Sequence, residues 1–347
     1  MKKIAVIGSG FFGSTTALLL SKKNKVDLFE KKNSIMCGAS RANQQRFHLG
    51  YHYPRSTKTV IEIKKHYKEF INFFGSNVFS KTQNYYGISR NKSKTSFKKY
   101  LNFLKKNKLK YRITNDKNFS DRIEGQIISE EKNLNYFKIK KLMLKKLKKK
   151  KIKIYFNTVF SKKLIKDYDK IIIAVYDQNN FIMKQLGQDV KTVYKYELVE
   201  KIIIKLPAEL RNKSYMILDG KFVCLDPYLG TKYHLLSDVK YSKLEIKKGK
   251  YSIFKNLNKK YLNSGIIKNK KISQFNNFIK HGSQYLPILT KAKYIGSFYV
   301  TRAVKINKEN TDERMNEISK KGNKIISIFS GKWNTCVGVA KKIANMI

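Results

Sequence analysis

The segment that decides the fold is KIAVIGSGFFGSTTALLLSKKNKVDLFE, residues 3–30. Its pattern predicts an apolar strand, a glycine turn, a helix and a second strand that ends in an acidic residue, Glu30. The glycines of the turn are Gly8, Gly10 and Gly13. This order of elements, with this glycine spacing, is typical of a dinucleotide-binding unit.

Each special position in this unit has its own chemical reason. Gly8 permits the tight turn, Gly10 lets the backbone approach a pyrophosphate, and Gly13 lets the helix pack closely on the strand. The first turn of the helix offers N–H groups and the positive end of its dipole to phosphates. Glu30 can accept hydrogen bonds from a ribose diol. The fingerprint predicts a bound dinucleotide, and by itself it does not choose between NAD and FAD.

Working outward, apolar periodicity predicts a second nucleotide-domain unit and an inserted sheet. The predicted helices cover residues 56–75, 94–107 and 137–149, with a further helix at the end of the chain. The predicted strands cover residues 84–90, 151–156, 170–175, 196–206, 294–304 and 325–329, and residues 214–239 contain a hairpin around Asp219-Gly220. The expected fold is α/β: a Rossmann-like nucleotide-binding domain with an inserted antiparallel β-sheet substrate domain of α+β character.

Composition excludes several classes of protein. The chain has 347 residues, 41% of them apolar, so it is expected to be globular. Its three cysteines, Cys37, Cys224 and Cys336, have neither metal-binding nor disulfide spacing, which predicts a cytoplasmic protein without a metal. No apolar run approaches the ~20 residues of a membrane span, and the start of the chain predicts no signal peptide.

The formal net charge of +51 raises the question of a nucleic-acid partner. Of the 75 basic residues 66 are lysine and 9 are arginine, and the lysines are spread from end to end. Arginine is the residue that reads bases and grips phosphates bidentately, so this split predicts solvated lysine faces and no specific nucleic-acid binding. A basic amphipathic helix near residues 138–149 leaves weak peripheral contact with the inner membrane face as an alternative.

The layout resembles the FAD-dependent oxidoreductases of the D-amino acid oxidase superfamily. The resemblance is carried by VIGSGFFG (6–13), by SGKWNTC (330–336) with its glycine turn before a helix, and by SRANQQRFHLGYHYP (40–54). The last stretch is similar to one in L-2-hydroxyglutarate oxidase-like members, with matches at Ser40, Asn43, His48, Gly50, Tyr53 and Pro54. Gln44, Gln45 and Arg46 depart from that pattern.

The resemblance implies non-covalent FAD and two discontinuous domains. The FAD-binding domain is expected to comprise residues 1–84, 126–187 and 318–347, and the substrate domain residues 85–125 and 188–317. The stretch 330–336 is expected to face the flavin N1–C2=O edge, and Cys336 to be a buried helix residue. The candidate cofactor-binding residues are Gly8, Gly10, Phe11, Phe12, Gly13, Glu30, Lys31, Ser40, Arg41, Asn43, Val159, Gly331, Lys332, Trp333 and Asn334.

The implied activity is oxidation of a small carboxylate-bearing substrate, namely an amino acid, an amine or a 2-hydroxy acid. Arg302 is the leading candidate for holding the carboxylate, since arginine forks suit that group. His48 is a candidate proton acceptor. The candidate catalytic residues are His48, Arg302, Arg46 and Tyr53, with Arg55, His52, Tyr228 and His234 behind them.

Two further functions stay open at this point. One is a flavoenzyme that modifies or isomerises a nucleotide-linked sugar, with the arginines holding its diphosphate. The other is a lysine-driven role at a membrane surface or on nucleic acid. In the leading interpretation the partners are a small anionic substrate and an electron acceptor, either oxygen or a quinone, and the enzyme is a dehydrogenase or an oxidase.

Overall fold

The structure, a computed structural model, describes residues 1–306 and 316–347. The strands, numbered along the chain, are β1 (Lys3–Ile7), β2 (Lys25–Phe29), β3 (Arg46–Phe47), β4 (Phe79–Ser80), β5 (Gln83–Ser89), β6 (Tyr111–Thr114), β7 (Ile123–Ser129), β8 (Lys132–Leu134), β9 (Lys153–Tyr155), β10 (Lys170–Ile173), β11 (Tyr194–Lys205), β12 (Lys213–Leu218), β13 (Val223–Tyr228), β14 (Tyr233–Asp238), β15 (Lys243–Gly249), β16 (Lys293–Lys305), β17 (Glu317–Lys321) and β18 (Ile325–Phe329). The α-helices are α1 (Phe11–Leu20), α2 (Thr57–Phe74), α3 (Phe97–Lys106), α4 (Tyr136–Lys149), α5 (Asn179–Gln185), α6 (Phe275–Gly282) and α7 (Cys336–Asn345).

The first sheet contains the predicted nucleotide-binding unit. Its strand order is β17-β18-β10-β1-β2-β9, and every neighbouring pair is parallel except β17 and β18. Helices α1, α2, α4 and α7 bury apolar side chains together with one face of this sheet, which forms the largest core cluster. The strand–turn–helix–strand unit predicted from residues 3–30 is therefore confirmed, as is the return of the chain through β18 and α7.

The glycine turn shows why its spacing matters. Gly8 has φ +95°, a backbone conformation that side-chain-bearing residues rarely adopt. A Cβ on Gly13 would lie 1.8 Å from the carbonyl oxygen of Gly8. Only glycine at this position lets α1 start directly against β1, as the sequence predicts.

The second sheet has nine strands and provides the predicted inserted domain. Its order is β15-β11-β14-β13-β12-β5-β7-β6, with β16 also paired to β11. Strands β11 and β16 form a long antiparallel ladder from Tyr194↔Lys305 to Lys205↔Lys293. One neighbouring pair, β12 and β5, is parallel, because β5 enters from a separate part of the chain. The sheet is thus mixed where an antiparallel one was expected.

Several short elements were not predicted. They are β3, β4 and β8, which form a small third sheet, together with β6, β7, β15, β17, α5 and α6. Strands β3, β4, β6, β8 and β17 have two to five residues, too few alternations for a sequence pattern to stand out. The seven-residue β7 (IEGQIIS) has no strict apolar–polar alternation, and β15 (KLEIKKG) carries only two apolar residues. The helix predicted from residue 94 begins at Phe97, because the Ser96 hydroxyl accepts a hydrogen bond from the Lys99 N–H (3.4 Å) and caps it there.

The domain boundaries expected from the sequence remain a prediction, and residues 307–315 of the substrate domain lie outside the described residues. Among the helices in residues 1–306 and 316–347, none combines the length and apolarity needed to cross a membrane.

Candidate active site

A cavity of about 1100 Å³ runs from the glycine turn to one face of the nine-stranded sheet. Its walls come from the turn after β1, from the segment between β2 and α2, from strands of the large sheet and from the turn before α7. The cavity therefore brings together the three motifs that lie far apart in the sequence, around residues 8–13, 40–55 and 330–333.

One end of the cavity is shaped for a dinucleotide. Gly8 and Gly10 line it, and a Cβ on Gly8 would lie 2.7 Å from the Ala174 carbonyl oxygen. The Ser40 hydroxyl accepts a hydrogen bond from the Phe11 N–H (3.2 Å) at the start of α1. Glu30 closes this end, and one of its oxygens accepts a hydrogen bond from the Ser9 N–H (3.1 Å). The turn, the helix start and the acid fit the two phosphates and the ribose of FAD.

The structure gathers most of the candidate cofactor-binding residues around this cavity. Those that line it are Gly8, Gly10, Phe11, Phe12, Glu30, Lys31, Ser40, Asn43, Val159, Gly331, Lys332 and Trp333. The aromatic ring of Trp333 stacks on that of Phe11, with the centroids 5.1 Å apart. The turn before α7 is thereby packed onto the start of α1, and both face the same cavity.

Three candidate cofactor-binding residues do not line the cavity. Gly13 has the packing role described above. The Arg41 guanidinium lies 5.3 Å from the ring centroid of Phe298, and its Nε donates to the Tyr228 hydroxyl (3.4 Å). Asn334 is buried, and its Nδ2 donates a hydrogen bond to the His48 carbonyl oxygen (3.1 Å). This bond holds the segment around His48 against the turn that precedes α7.

His48 lines the middle of the cavity, and the buried carboxylate of Glu131 lies behind it. The His48 Nδ1 is 3.7 Å from Glu131 Oε1. Burial lowers the pKa of His48, as do the charges of Lys332 and Arg46, and these effects outweigh Glu131, which raises it. Burial raises the pKa of Glu131, but His48, Arg46 and Tyr86 outweigh burial and lower it. The imidazole is therefore neutral and the carboxylate ionised near neutral pH.

Arg46 was expected to point toward the substrate, and the structure shows its charge already neutralised. The residue is 1% exposed, and its Nη2 donates to Asp226 Oδ1 (2.8 Å) and to the Ser214 hydroxyl. Its Nη1 lies 3.9 Å from Glu131 Oε2. Arg46 is thus part of the cavity wall, with its guanidinium held by two buried carboxylates.

The remaining aromatic and basic candidates divide into two groups. His52 and Arg55 line the cavity, and Arg55 Nε donates to Asp219 Oδ2 (2.9 Å). Tyr53 lies outside it and is buried, and the Lys332 ammonium is 4.7 Å from its ring centroid. Tyr228 and His234 are also buried and do not line the cavity. Cys336 is buried at the start of α7 and does not line it either.

Arg302 reaches the cavity from β16, at the position predicted from the sequence. Its Nη1 donates to Glu197 Oε2 (2.8 Å), directly across the β11–β16 ladder, and its side chain remains 39% exposed. Burial raises the pKa of Glu197, but Arg302, Lys243 and Lys195 outweigh it and lower that pKa. The ionised Glu197 fixes one edge of the guanidinium while the side chain faces the cavity.

Sequence reasoning missed three residues of this site: Glu131, Asp226 and Lys201. Glu131 and Asp226 are buried carboxylates in a chain with few acids, and each follows an apolar strand segment. The available signal was that acids are scarce, 24 in the chain, so that an acid within or directly after an apolar strand segment stands out. Lys201 carried no signal, because it is one of 66 lysines. Among residues 1–306 and 316–347 the structure holds no cluster of ligands suited to a metal ion.

Comparison with known proteins agrees with this geometry. The family model of the FAD dependent oxidoreductases, DAO, matches residues 3–182, which is more than half of the chain. Among curated proteins, the FAD-dependent monooxygenase FPY4 of Fusarium mangiferae is 32% identical over 72 residues. That stretch covers 20% of this chain and 20% of the fungal protein.

Solved structures show the same fold over nearly the whole chain. Glycine oxidase from Geobacillus kaustophilus has a TM-score of 0.70 at 12% identity, covering 100% of this chain and 95% of that one. L-proline dehydrogenase from P. horikoshii has a TM-score of 0.72 at 13% identity, covering 99% and 92%. L-alpha-glycerophosphate oxidase from Mycoplasma pneumoniae, with FAD bound, has a TM-score of 0.70 at 16% identity, covering 100% and 95%.

Proposed function

Because the chain belongs to the DAO family of FAD-dependent oxidoreductases, we propose that it oxidises a small carboxylate-bearing substrate in the cavity described above. The observation that carries this proposal is the continuity of the cavity. One space joins the dinucleotide cradle at Gly8 and Gly10 to the sheet face that presents Arg302. A substrate bound at Arg302 would therefore share one continuous cavity with the cofactor.

FAD supplies a two-electron acceptor for a hydride from the substrate carbon. The Gly8–Gly10 turn, the start of α1 and Glu30 would hold the cofactor, together with the turn at Gly331 and Trp333, which lines the same cavity. The remaining tasks fall to the protein: to bind the anionic group, to fix the C–H in position and to take a proton from the neighbouring heteroatom.

Arginine placement supports an anionic substrate better than overall charge does. Of the eight arginines and 65 lysines in residues 1–306 and 316–347, three arginines (Arg46, Arg55 and Arg302) and nine lysines line the cavity. Arginine is thus enriched at the cavity in a chain whose basic surface is otherwise lysine. The Arg46 side chain is fully buried, whereas those of Arg302 and Arg55 remain 39% and 26% exposed at the cavity, although Glu197 and Asp219 bind them on one edge. A planar fork is the group that holds a carboxylate bidentately.

The names of two solved structures of the same fold, glycine oxidase and L-proline dehydrogenase, support an amino acid substrate. The third, L-alpha-glycerophosphate oxidase, is named for a phosphate-bearing substrate and supports only an anionic one. An amino acid, an amine or a 2-hydroxy acid is the substrate that we propose for this chain, with oxygen or a quinone as the final electron acceptor. A nucleotide-linked sugar is the alternative, since its diphosphate would also suit the arginines.

An anaerobic reduction screen tests this function. Holoprotein is mixed under nitrogen with amino acids, amines, 2-hydroxy acids and nucleotide sugars, and loss of the flavin absorbance is followed. We expect bleaching by a carboxylate-bearing compound. Bleaching by none of the first three groups, together with turnover of a nucleotide sugar without net flavin reduction, would contradict the proposal in favour of the alternative.

The Arg302→Lys variant tests the assigned anion site. A point charge cannot replace a planar fork, so loss of the bidentate contact is expected to cost about 2 kcal/mol or more in binding, roughly thirty-fold. Glu197 keeps Lys195 and Lys243 as partners, so the buried carboxylate is not left alone. The control is Arg112→Lys on the exposed β6 strand. An unchanged substrate affinity in Arg302→Lys would remove Arg302 from the site.

A further inference from the structure

Lys201 is placed at the cavity by the same strand that carries Glu197. Residues Lys195, Glu197, Val199 and Lys201 alternate along β11 and all line the cavity. The Lys201 ammonium donates to Gln44 Oε1 (3.2 Å) and to the Ser237 hydroxyl (3.4 Å). Within residues 1–306 and 316–347, no carboxylate lies within ion-pair distance of it. Its partners are neutral, and it shares the cavity face with Arg302.

This setting changes the proton affinity of Lys201. Burial is the largest influence and lowers the pKa of Lys201 to about 8, and the charge of Arg302 lowers it further, while Cys224 and Asp226 act in the opposite direction. A lysine with this pKa is about one-tenth neutral at pH 7 and half neutral at about pH 8, whereas an ordinary lysine is almost fully charged at both. A base is most effective when its pKa lies near the working pH.

The residues behind Lys201 can stabilise the proton once it arrives. Gln44 accepts from Lys201 through its oxygen and donates through Nε2 to Asp226 Oδ2 (3.2 Å). Asp226 in turn is bonded to Arg46, which also faces Glu131. This buried set holds two carboxylates and one guanidinium, and it therefore carries a surplus negative charge that offsets a new ammonium.

We infer that Lys201 is the proton acceptor of the oxidation, in place of the predicted acceptor His48. The inference rests on the proposed function in one respect, that the flavin takes the hydride. The substrate C–H then leaves as hydride to the flavin, and the proton of the adjacent O–H or N–H passes to the neutral Nζ of Lys201. The C–O or C–N bond becomes double, and the electrons and protons balance. Lys201 returns its proton to solvent through the open side of the cavity.

Lys201 can be tested first without any substrate. Cyanate carbamylates only deprotonated amines, so brief labelling of the holoprotein across pH 6–11, followed by peptide mass spectrometry, measures the protonation of Lys201. Half-maximal labelling is expected at about pH 8. The same peptide in urea-unfolded protein should follow an ordinary lysine, at about pH 10.4. A folded-state midpoint equal to the unfolded one would overturn the inference.

The second test uses whichever compound reduces the flavin in the anaerobic screen. The rate of reduction should rise with pH through about 8 and then level, because the base must be deprotonated. If His48 accepted the proton, the rate of flavin reduction would instead rise at a pH below about 6.5, the ordinary pKa of histidine, because the pKa of His48 is lowered. Lys201→Gln should slow reduction by about a hundredfold or more and remove the limb near pH 8, while FAD stays bound.

Lys201→Arg separates proton acceptance from charge. Arginine keeps the positive charge and cannot deprotonate, so this variant should be as slow as Lys201→Gln. A parental rate in Lys201→Arg would overturn the inference and leave Lys201 as a binding charge. Lys205→Gln, on the exposed end of the same strand, is the matched control and should keep the parental rate. Failure of every compound to reduce the flavin would contradict the proposed function, while the labelling midpoint would still decide whether Lys201 is poised as a base.

Discussion

Replacing Gly13 by alanine should weaken FAD binding through a single steric contact. The added Cβ would lie 1.8 Å from the Gly8 carbonyl oxygen and 2.9 Å from its carbon. Ordinary contact begins at 3.4 Å, so the start of α1 must withdraw from the β1 turn by about 1.6 Å. Both partners are backbone atoms, and no side-chain rotation relieves the clash. The helix start is also the surface expected to hold the pyrophosphate.

Two costs follow from that displacement. Overpacking of this kind destabilises a fold by about 1–3 kcal/mol. A helix N-terminus contributes up to ~2 kcal/mol to an anion held against it, and its loss corresponds to roughly a thirty-fold weaker affinity. We therefore expect a lower melting temperature together with an FAD dissociation constant raised by about thirty-fold.

The assay is titration of apoprotein with FAD, followed by flavin fluorescence, with circular dichroism to confirm the fold. Gly249→Ala is the matched control, because a Cβ there meets nothing closer than 3.9 Å and its φ is ordinary. The control should bind FAD as the parent does. Parental FAD affinity in a folded Gly13→Ala protein would refute the placement of the pyrophosphate at this helix.

Three further changes test the site and the surface. His48→Ala should leave FAD bound and slow flavin reduction, because the substrate loses a positioning contact, while the rise of the reduction rate near pH 8 should be retained. Stopped-flow spectroscopy measures the reduction rate, and loss of its rise near pH 8 would assign proton acceptance to His48. Arg46→Met strands the carboxylates of Asp226 and Glu131 in the interior, so urea unfolding should show a loss of about 3–5 kcal/mol, whereas Arg112→Met on the surface should change little. The +51 charge should give only weak, sequence-blind DNA binding that falls steeply as salt rises; tight sequence-selective binding at physiological salt would show that the charge has a specific partner.

Local sequence determined the nucleotide-binding unit. In residues 3–30 the apolar residues repeat with the period of a strand or of a helix, two or 3.6 residues, and this specifies the order strand, turn, helix and strand. The glycines of the turn are required by backbone contacts only a few residues away in the sequence. The structure confirms that unit to within a residue or two, because the contact that sets the start of the helix, Gly13 against Gly8, is close in sequence. The pairing of β1 with β10 then adds long-range support. The scarcity of arginine drew attention to Arg302, which lines the cavity, and its role in binding a carboxylate stays a prediction.

Only the tertiary structure decided which polar residues share the site. Gln44, Glu131, Lys201 and Asp226 come from separate strands and segments, and no sequence spacing links them. The structure also placed Arg41 and Tyr53 outside the cavity, although both lie in the stretch that resembles the family. Lys201 owes its lowered pKa to its packing in the sheet near Arg302, and that packing is a property of the assembled sheet. The charge state of a side chain follows from what surrounds it, and those surroundings exist only after the strands have assembled.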